Sequence, residues 1–167
     1  MLLSPDDPAV DTIVLVEGRS DVAALRVLAP TLQHTAIVSL EGVTKVARYV
    51  REATPGIRLL GLCDAREVRF FERVSLDAFF VCDEDLEDEF IRALGVERVE
   101  AVIEAQGELA ALRTFQNQPF QRTRTTEQQL HRFFGTMAGR KEKYGAALAE
   151  ALTEIPRPLR ELLALTS

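Results

Sequence analysis

The first half of the chain alternates short apolar runs with amphipathic stretches. "VDTIVLV" (10–16), "TAIVSL" (35–40), "IRLLGLC" (57–63) and "LDAFFVC" (76–82) are apolar or β-branched runs of strand length. Between them, "RSDVAALRVLAP" (19–30) spaces Val22, Leu25 and Leu28 as a helix does, with Pro30 near its end. "GVTKVARYVREAT" (42–54) puts Val43, Val46, Ala47 and Val50 on one helical face. "AREVRFFERV" (65–74) reads as a helical turn or a loop, and "DLEDEFIRALG" (85–95) as a helix stopped by Gly95. Strands alternating with helices predict an α/β fold with a mostly parallel, four-stranded sheet covered on both faces. After residue 95 the pattern turns all-helical, over roughly 97–106, 108–118, 126–136 and 140–153. "IPRPLREL" (155–162) then breaks and restarts a short last helix. The expectation is one domain over 1–167, with an α/β core at 11–95 and a helical extension at 96–167. The terminal "PLRELLAL" docks on that core or, in a homodimer, on a twin subunit.

Charge changes this picture more than composition does. The 167 residues are 47% hydrophobic and 28% charged, ordinary for a folded chain and unlike a disordered one. A net charge of −6 excludes a uniformly basic nucleic-acid binder. Residues 1–95 nevertheless carry 17 acids and 10 bases, while 113–143 carry seven bases against two acids. An acidic half beside a basic stretch suits a site that handles anions through both metal and Lys or Arg. Cys63 and Cys82 each end an apolar run, lack C-x-x-C spacing, and read as small buried residues in a reducing, cytoplasmic setting. His34 and His131 lack ligand spacing. "MLLSPDDPAV" has no leader signature, and no apolar run approaches the ~18 residues of a membrane span, so no membrane partner is expected.

The acids fall at strand ends. Glu17 follows the first strand, Asp64 the third, and Asp83, Asp85 and Glu87 the fourth; Asp21 sits four residues after Glu17. Parallel topology brings such positions to one edge, where α/β sheets bind ligands. Hard divalent cations take several oxygen ligands, and two of them clamp a phosphodiester. "DEDLEDE" (83–89) places six carboxylates in seven positions. Glu84, Asp88 and Glu89 are explained by a helix N-terminus alone, and Asp85 reads equally as an N-cap with Asp88 three residues on. Glu17 and Glu87 stay open between structural and functional roles. No G-x-G-x-x-G or G-x-x-x-x-G-K-[ST] motif occurs.

"IVLVEGRSDVAAL" (13–25) resembles the first motif of the Toprim domain, and the longer match is to the OLD-family (overcoming lysogenization defect) nuclease type. "LEGVTKVARYV", "GLCDAREV", "FVCDEDLEDEFIRALG", "GELAALRTFQNQP" and "LHRFFGTMAGRKEKYGAALAEAL" are similar to it in order, over about 11–165. The resemblance implies a Rossmann-like Toprim fold and a Mg²⁺- or Mn²⁺-dependent nuclease. It matches Glu17 and Asp21 to a first acidic pair, Asp64 to the first acid of a D-x-D-like motif, and Glu87 to an acid in the helix after the fourth strand. Lys141 matches the functional Lys, with Lys143 as alternate. There are departures. Arg66 stands where the second D-x-D acid is expected, so Glu67 substitutes or one metal site is weakened. Asp85 lies where relatives use a hydroxyl residue. The family's ATPase half is not in this chain, so ATP-dependent action needs a partner in trans.

The reading that follows is a DNA-hydrolysing or DNA-nicking endonuclease. Glu17, Asp64 and Glu87 ligate the metal, with Asp21, Glu67 and Asp85 as ligands or supports. Glu17 and Lys141 are the catalytic pair, Lys141 meeting the phosphate. Arg122, Arg124, Arg132, Arg140 and Lys143 track the DNA backbone, or form a solvated helix face. Phe115, Phe120, Phe133 and Phe134 read as core rather than base-stacking platforms. The alternative is a non-catalytic or weakly catalytic Toprim module that binds nucleic acid or a partner ATPase. A receiver-like signalling domain fits the long helical extension poorly.

Overall fold

The computed structural model describes residues 4–30 and 32–166. Residues 1–3 of the stretch read as lacking a leader, and Ser167 at the end of the expected helical extension, lie outside the described residues.

Among the described residues, four strands form one parallel sheet: β1 (Thr12–Val16), β2 (Thr35–Ser39), β3 (Arg58–Asp64) and β4 (Ala78–Cys82), in spatial order β2-β1-β3-β4. β1 lies inside the sheet and every one of its residues is buried. That is why its sequence is apolar throughout instead of alternating. Side chains on successive positions face opposite layers. Val14, Val16, Leu60 and Leu62 join one core, while Ile13, Leu15, Leu59 and Cys63 join the other. Cys82 belongs to the first core and Cys63 to the second; both are buried free thiols, as expected.

The first core is covered by α1 (Arg19–Leu28), by α4 (Leu86–Leu94) and by the helical extension: α5 (Val96–Ala105), α6 (Leu109–Gln116), α7 (Thr126–Phe134), α8 (Arg140–Ala151) and α9 (Arg157–Ala164). The second is covered by α2 (Val46–Glu52) and the short α3 (Val68–Phe71). The expected helix at 42–54 begins with a 3-10 turn at Val43–Lys45, and the ambiguous 65–74 stretch is a 3-10 turn at Ala65–Glu67 running into α3. α9 packs on β3 and β4 through Leu159 and Leu162, so the C-terminal segment seats on its own sheet.

The chain winds to one side of β1 through α1 and to the other through α2. The order therefore reverses between β1 and β3, and the connections leaving their carboxyl ends run to opposite faces of the sheet. Two glycines let helices approach this edge. A Cβ on Gly61 of β3 would stand 2.6 Å from the Phe71 ring, which seats α3 on the sheet. A Cβ on Gly145 of α8 would stand 2.6 Å from the Ser20 carbonyl oxygen, in the first turn of α1.

Because that Ser20 oxygen is backbone, Gly145→Ala has no flexible neighbour to displace and must push α8 off α1. Overpacking of this kind costs about 1–3 kcal/mol. The expected result is a thermal midpoint lowered by several degrees with an unchanged far-UV spectrum; an unshifted midpoint would show that the two helices are not held this closely.

Candidate metal centre

Glu17 leaves the end of β1, Asp64 is the last residue of β3, and Glu67 closes the 3-10 turn that follows. These three offer carboxylate oxygens that all lie within 4.8 Å of one another, and each residue is half-buried. The turn is tied down from beyond β4: the Ala65 N–H donates to the Glu84 carbonyl at 3.3 Å. Asp21, at the third position of α1, accepts from the Gly18 N–H at 2.9 Å and so folds back toward Glu17. Glu87, in the first turn of α4, is only 4% exposed. Lys141, in the first turn of α8, brings its Nζ to 3.6 Å from Glu87 Oε1, an ion pair too long to be a hydrogen bond. Glu17, Asp21, Asp64, Glu87 and Lys141 together line one cleft of about 480 Å³.

Crowding shows in the protonation of these groups. Burial, reinforced by the charges of Asp21, Asp85, Glu17 and Glu67, pushes the Asp64 carboxyl up to about 8. Burial also raises Asp21 to about 7, opposed by the Gly18 N–H and Lys141 and reinforced by Glu87 and Glu17. Glu67 rises to about 7 through burial and a hydrogen bond shared with Glu17. Lys141 stays firmly protonated: burial alone would lower its pKa, and Glu87, Asp85, Asp64 and Asp21 outweigh that.

The donor set fits a hard divalent cation. It is all oxygen, with no thiol or imidazole in the cluster. One of its buried oxygens, Glu67 Oε2, has no hydrogen-bond partner, and neither has Glu87 Oε1 on the cleft wall, which meets only the Lys141 charge at 3.6 Å; an unpaired buried carboxylate oxygen is costly unless a cation or proton meets it.

The six carboxylates of 83–89 divide by partner. Arg92 takes Asp88 at 2.7 Å, Glu89 at 3.2 Å and Asp83 at 3.7 Å. Glu84 is exposed. Asp85 caps α4, its Oδ1 accepting from the Asp88 N–H at 2.9 Å, and its Oδ2 lies 2.6 Å from His131 Nε2. Burial would raise Asp85, but His131 and the Asp88 N–H bring it below the usual range. Asp85 was expected among the metal ligands; both its oxygens are engaged as a cap and an ion pair, and it lies outside the cluster of close oxygens. His131 lacks ligand spacing in the sequence, yet it meets Asp85 in the fold. Its role, bracing α4 from α7, is not visible in spacing because the two elements meet only in the fold.

Two of the expected DNA contacts have partners within the chain. Arg140 is 7% exposed and donates to Glu108 Oε1 at 2.8 Å, over the face of Phe133. Lys143 Nζ donates to Glu108 Oε2 at 3.2 Å, as does the Tyr144 hydroxyl at 2.8 Å. Burial opposes the ionisation of Glu108, yet these three donors hold it at about 2. Both cations are therefore committed to an acid just before α6. Arg122 and Arg132 are exposed, and Arg124 donates to the Phe120 carbonyl. Phe115, Phe133 and Phe134 are buried as expected, whereas Phe120 stands exposed.

No protein-family model and no curated protein sequence matches the chain. Solved structures do. The C-terminal region of the Burkholderia pseudomallei OLD protein superposes with a TM-score of 0.65 at 20% identity, covering 94% of this chain and 96% of that one. The C-terminal region of the Xanthomonas campestris pv. campestris OLD protein gives 0.64 at 20% identity, covering 94% and 92%. At this identity the likeness is one of fold, and over nearly its whole length the chain has the α/β fold of the OLD C-terminal region.

Proposed function

We propose that the protein is a divalent-metal-dependent nuclease that hydrolyses or nicks DNA phosphodiester bonds. The observation that carries this reading is the convergence of Glu17, Asp64 and Glu67 at the point where strand order reverses, with Glu17 and Asp64 lining one cleft together with the protonated Lys141. The fold shared with OLD C-terminal regions supports it. Glu17, Asp64 and Glu67 would hold Mg²⁺ or Mn²⁺, with Asp21 and Glu87 on the walls of the same cleft. When bound, such an ion activates water and neutralises charge on the scissile phosphate. Lys141 adds a fixed positive charge placed to meet a non-bridging phosphate oxygen. Asp85 and His131 hold the first turn of α4, and with it Glu87, in place.

The test is plasmid nicking in Mg²⁺, Mn²⁺ or EDTA. We expect metal-dependent conversion of supercoiled to open-circular DNA, abolished by Glu17→Ala with the fold retained. Lys141→Ala should lose about 10²–10³-fold in rate while still binding metal, as removal of a single transition-state donor does. Cleavage that survives Glu17→Ala unchanged would reject the assignment.

Arg66 favours a second reading, a metal-binding module with little or no catalysis. It stands where a second ligand was expected, and its side chain is exposed. Metal binding without cleavage in the same assay would select that reading.

Protonation supplies a further check. Asp64 titrates near 3.9 in an unfolded chain and at about 8 here. The folded state thus binds the extra proton, so this group's contribution is full below about pH 4 and is lost as pH rises through about 8. Asp21, at about 7, acts in the same direction. The metal-free protein should therefore melt progressively lower from pH 5 to pH 8.5, and Mn²⁺ should restore stability most at the alkaline end, with proton release on binding seen by calorimetry in buffers of different ionisation enthalpy. Asp64→Asn should flatten the metal-free profile and abolish most of the rescue. A flat wild-type profile would contradict the crowding.

A further inference from the structure

Away from the cleft, α6, the 3-10 turn at Pro119–Gln121, α7 and the 135–139 loop border an open cavity of about 470 Å³. That volume lies within the range of about 300–1,000 Å³ common for small-ligand sites. Its wall includes Phe115, Phe120, Gln121, Arg132, Phe133 and Met137. Gln121 is 0% exposed, yet both its side-chain Nε2 and Oε1 lack a hydrogen-bond partner. Its backbone groups are satisfied, by Gln118 and by Gln129 Nε2. Arg140 Nε, bordering the same cavity, is also unpaired. Buried amides left unpaired destabilise a fold, and a ligand that supplies both bonds removes that cost.

Other features say what kind of ligand. Phe120 is 58% exposed at the rim, and Met137 61%. Arg122 and Arg132 are exposed and have no ion-pair partner among the described residues. An exposed ring sharing a cavity wall with the uncommitted guanidinium of Arg132 is the arrangement that stacks an unpaired base and meets its phosphate. A carboxamide offers a donor and an acceptor side by side, matching the edge of a base, and such an edge is free only outside a duplex. We propose that this cavity binds an unpaired nucleotide of single-stranded nucleic acid. Phe120 stacks the base, the Gln121 amide meets its edge, and Arg132 meets a flanking phosphate. This deepens the reading of the protein as acting on nucleic acid and names the unpaired strand as what it grips.

The experiment is fluorescence anisotropy with the full chain in EDTA, using a short fluorescein-labelled single-stranded oligonucleotide and the same sequence as a duplex. Phe120→Ala and Gln121→Met should each weaken single-strand binding by about tenfold or more, with duplex binding little changed. Gln121→Met should melt at or above the wild-type temperature, since it removes an unpaired buried amide; its binding loss is then not unfolding. Wild-type single-strand affinity in both variants would overturn the proposal. So would equal weakening on single strand and duplex, which marks a generic basic surface. Unchanged nucleic-acid affinity with lost concentration-dependent self-association in sedimentation would assign the patch to protein docking instead. Base-sensitive binding without any plasmid nicking would leave this proposal standing and remove the hydrolase; nicking with no effect of Phe120 would do the reverse.

Discussion

Like-charge repulsion is the constraint around which this fold is arranged. Two carboxylates at the 4.8 Å limit of the Glu17, Asp64 and Glu67 cluster repel by roughly 3–4 kcal/mol at an effective dielectric of about 20. Stability of a whole domain is only about 5–15 kcal/mol. The cluster therefore exists only because its charge is offset. Lys141 does part of this across the cleft, and protons held by Asp64, Asp21 and Glu67 do more. A divalent ion would replace those protons. The close approach of α8 to α1 at Gly145 follows from the same need, because it brings the α8 cation to the acids.

Elsewhere the chain keeps its charges apart by pairing them locally. Arg92 absorbs three acids after β4, His131 absorbs Asp85, and Glu108 absorbs Arg140 and Lys143. Each of these pairs spares the cleft a stray charge. Glu87 is the exception: it is buried, and its Oε1 accepts no hydrogen bond and meets Lys141 Nζ only at 3.6 Å. A structural acid at a helix N-terminus would be solvated or capped, so its situation separates it from Asp88 and Glu89.

The parts of this plan that depend on local periodicity were legible in the sequence. Uniformly apolar runs gave the buried parallel strands, and strand-end logic placed Glu17 and Asp64 on one edge. What depended on the direction of a helix face was not. Arg140 and Lys141 are neighbours, yet one turns inward over Phe133 while the other reaches the cleft. A cluster of bases looks alike whether its members answer an interior acid or a phosphate, because Glu108 lies some 30 residues upstream of its partners. Phe120 misled for a related reason: it sits on a 3-10 turn between helices, where no period says which way a ring points.

The turn after β3 explains how three carboxylates still converge although Arg66 follows Asp64 by two residues. In an extended strand, residues two apart share a side, so a D-x-D pair both face the metal. Here the backbone bends into a 3-10 turn directly after Asp64, and in that geometry residues three apart are eclipsed. The second acid must then come at the third position, not the second, and that position is Glu67. Arg66 is turned to solvent by the same rotation. Phe71, locked into the space that Gly61 leaves open, and the Ala65 to Glu84 bond fix the turn from both ends. A backbone change of one turn type thus brings the carboxylate three residues after Asp64, not two, beside Glu17 and Asp64.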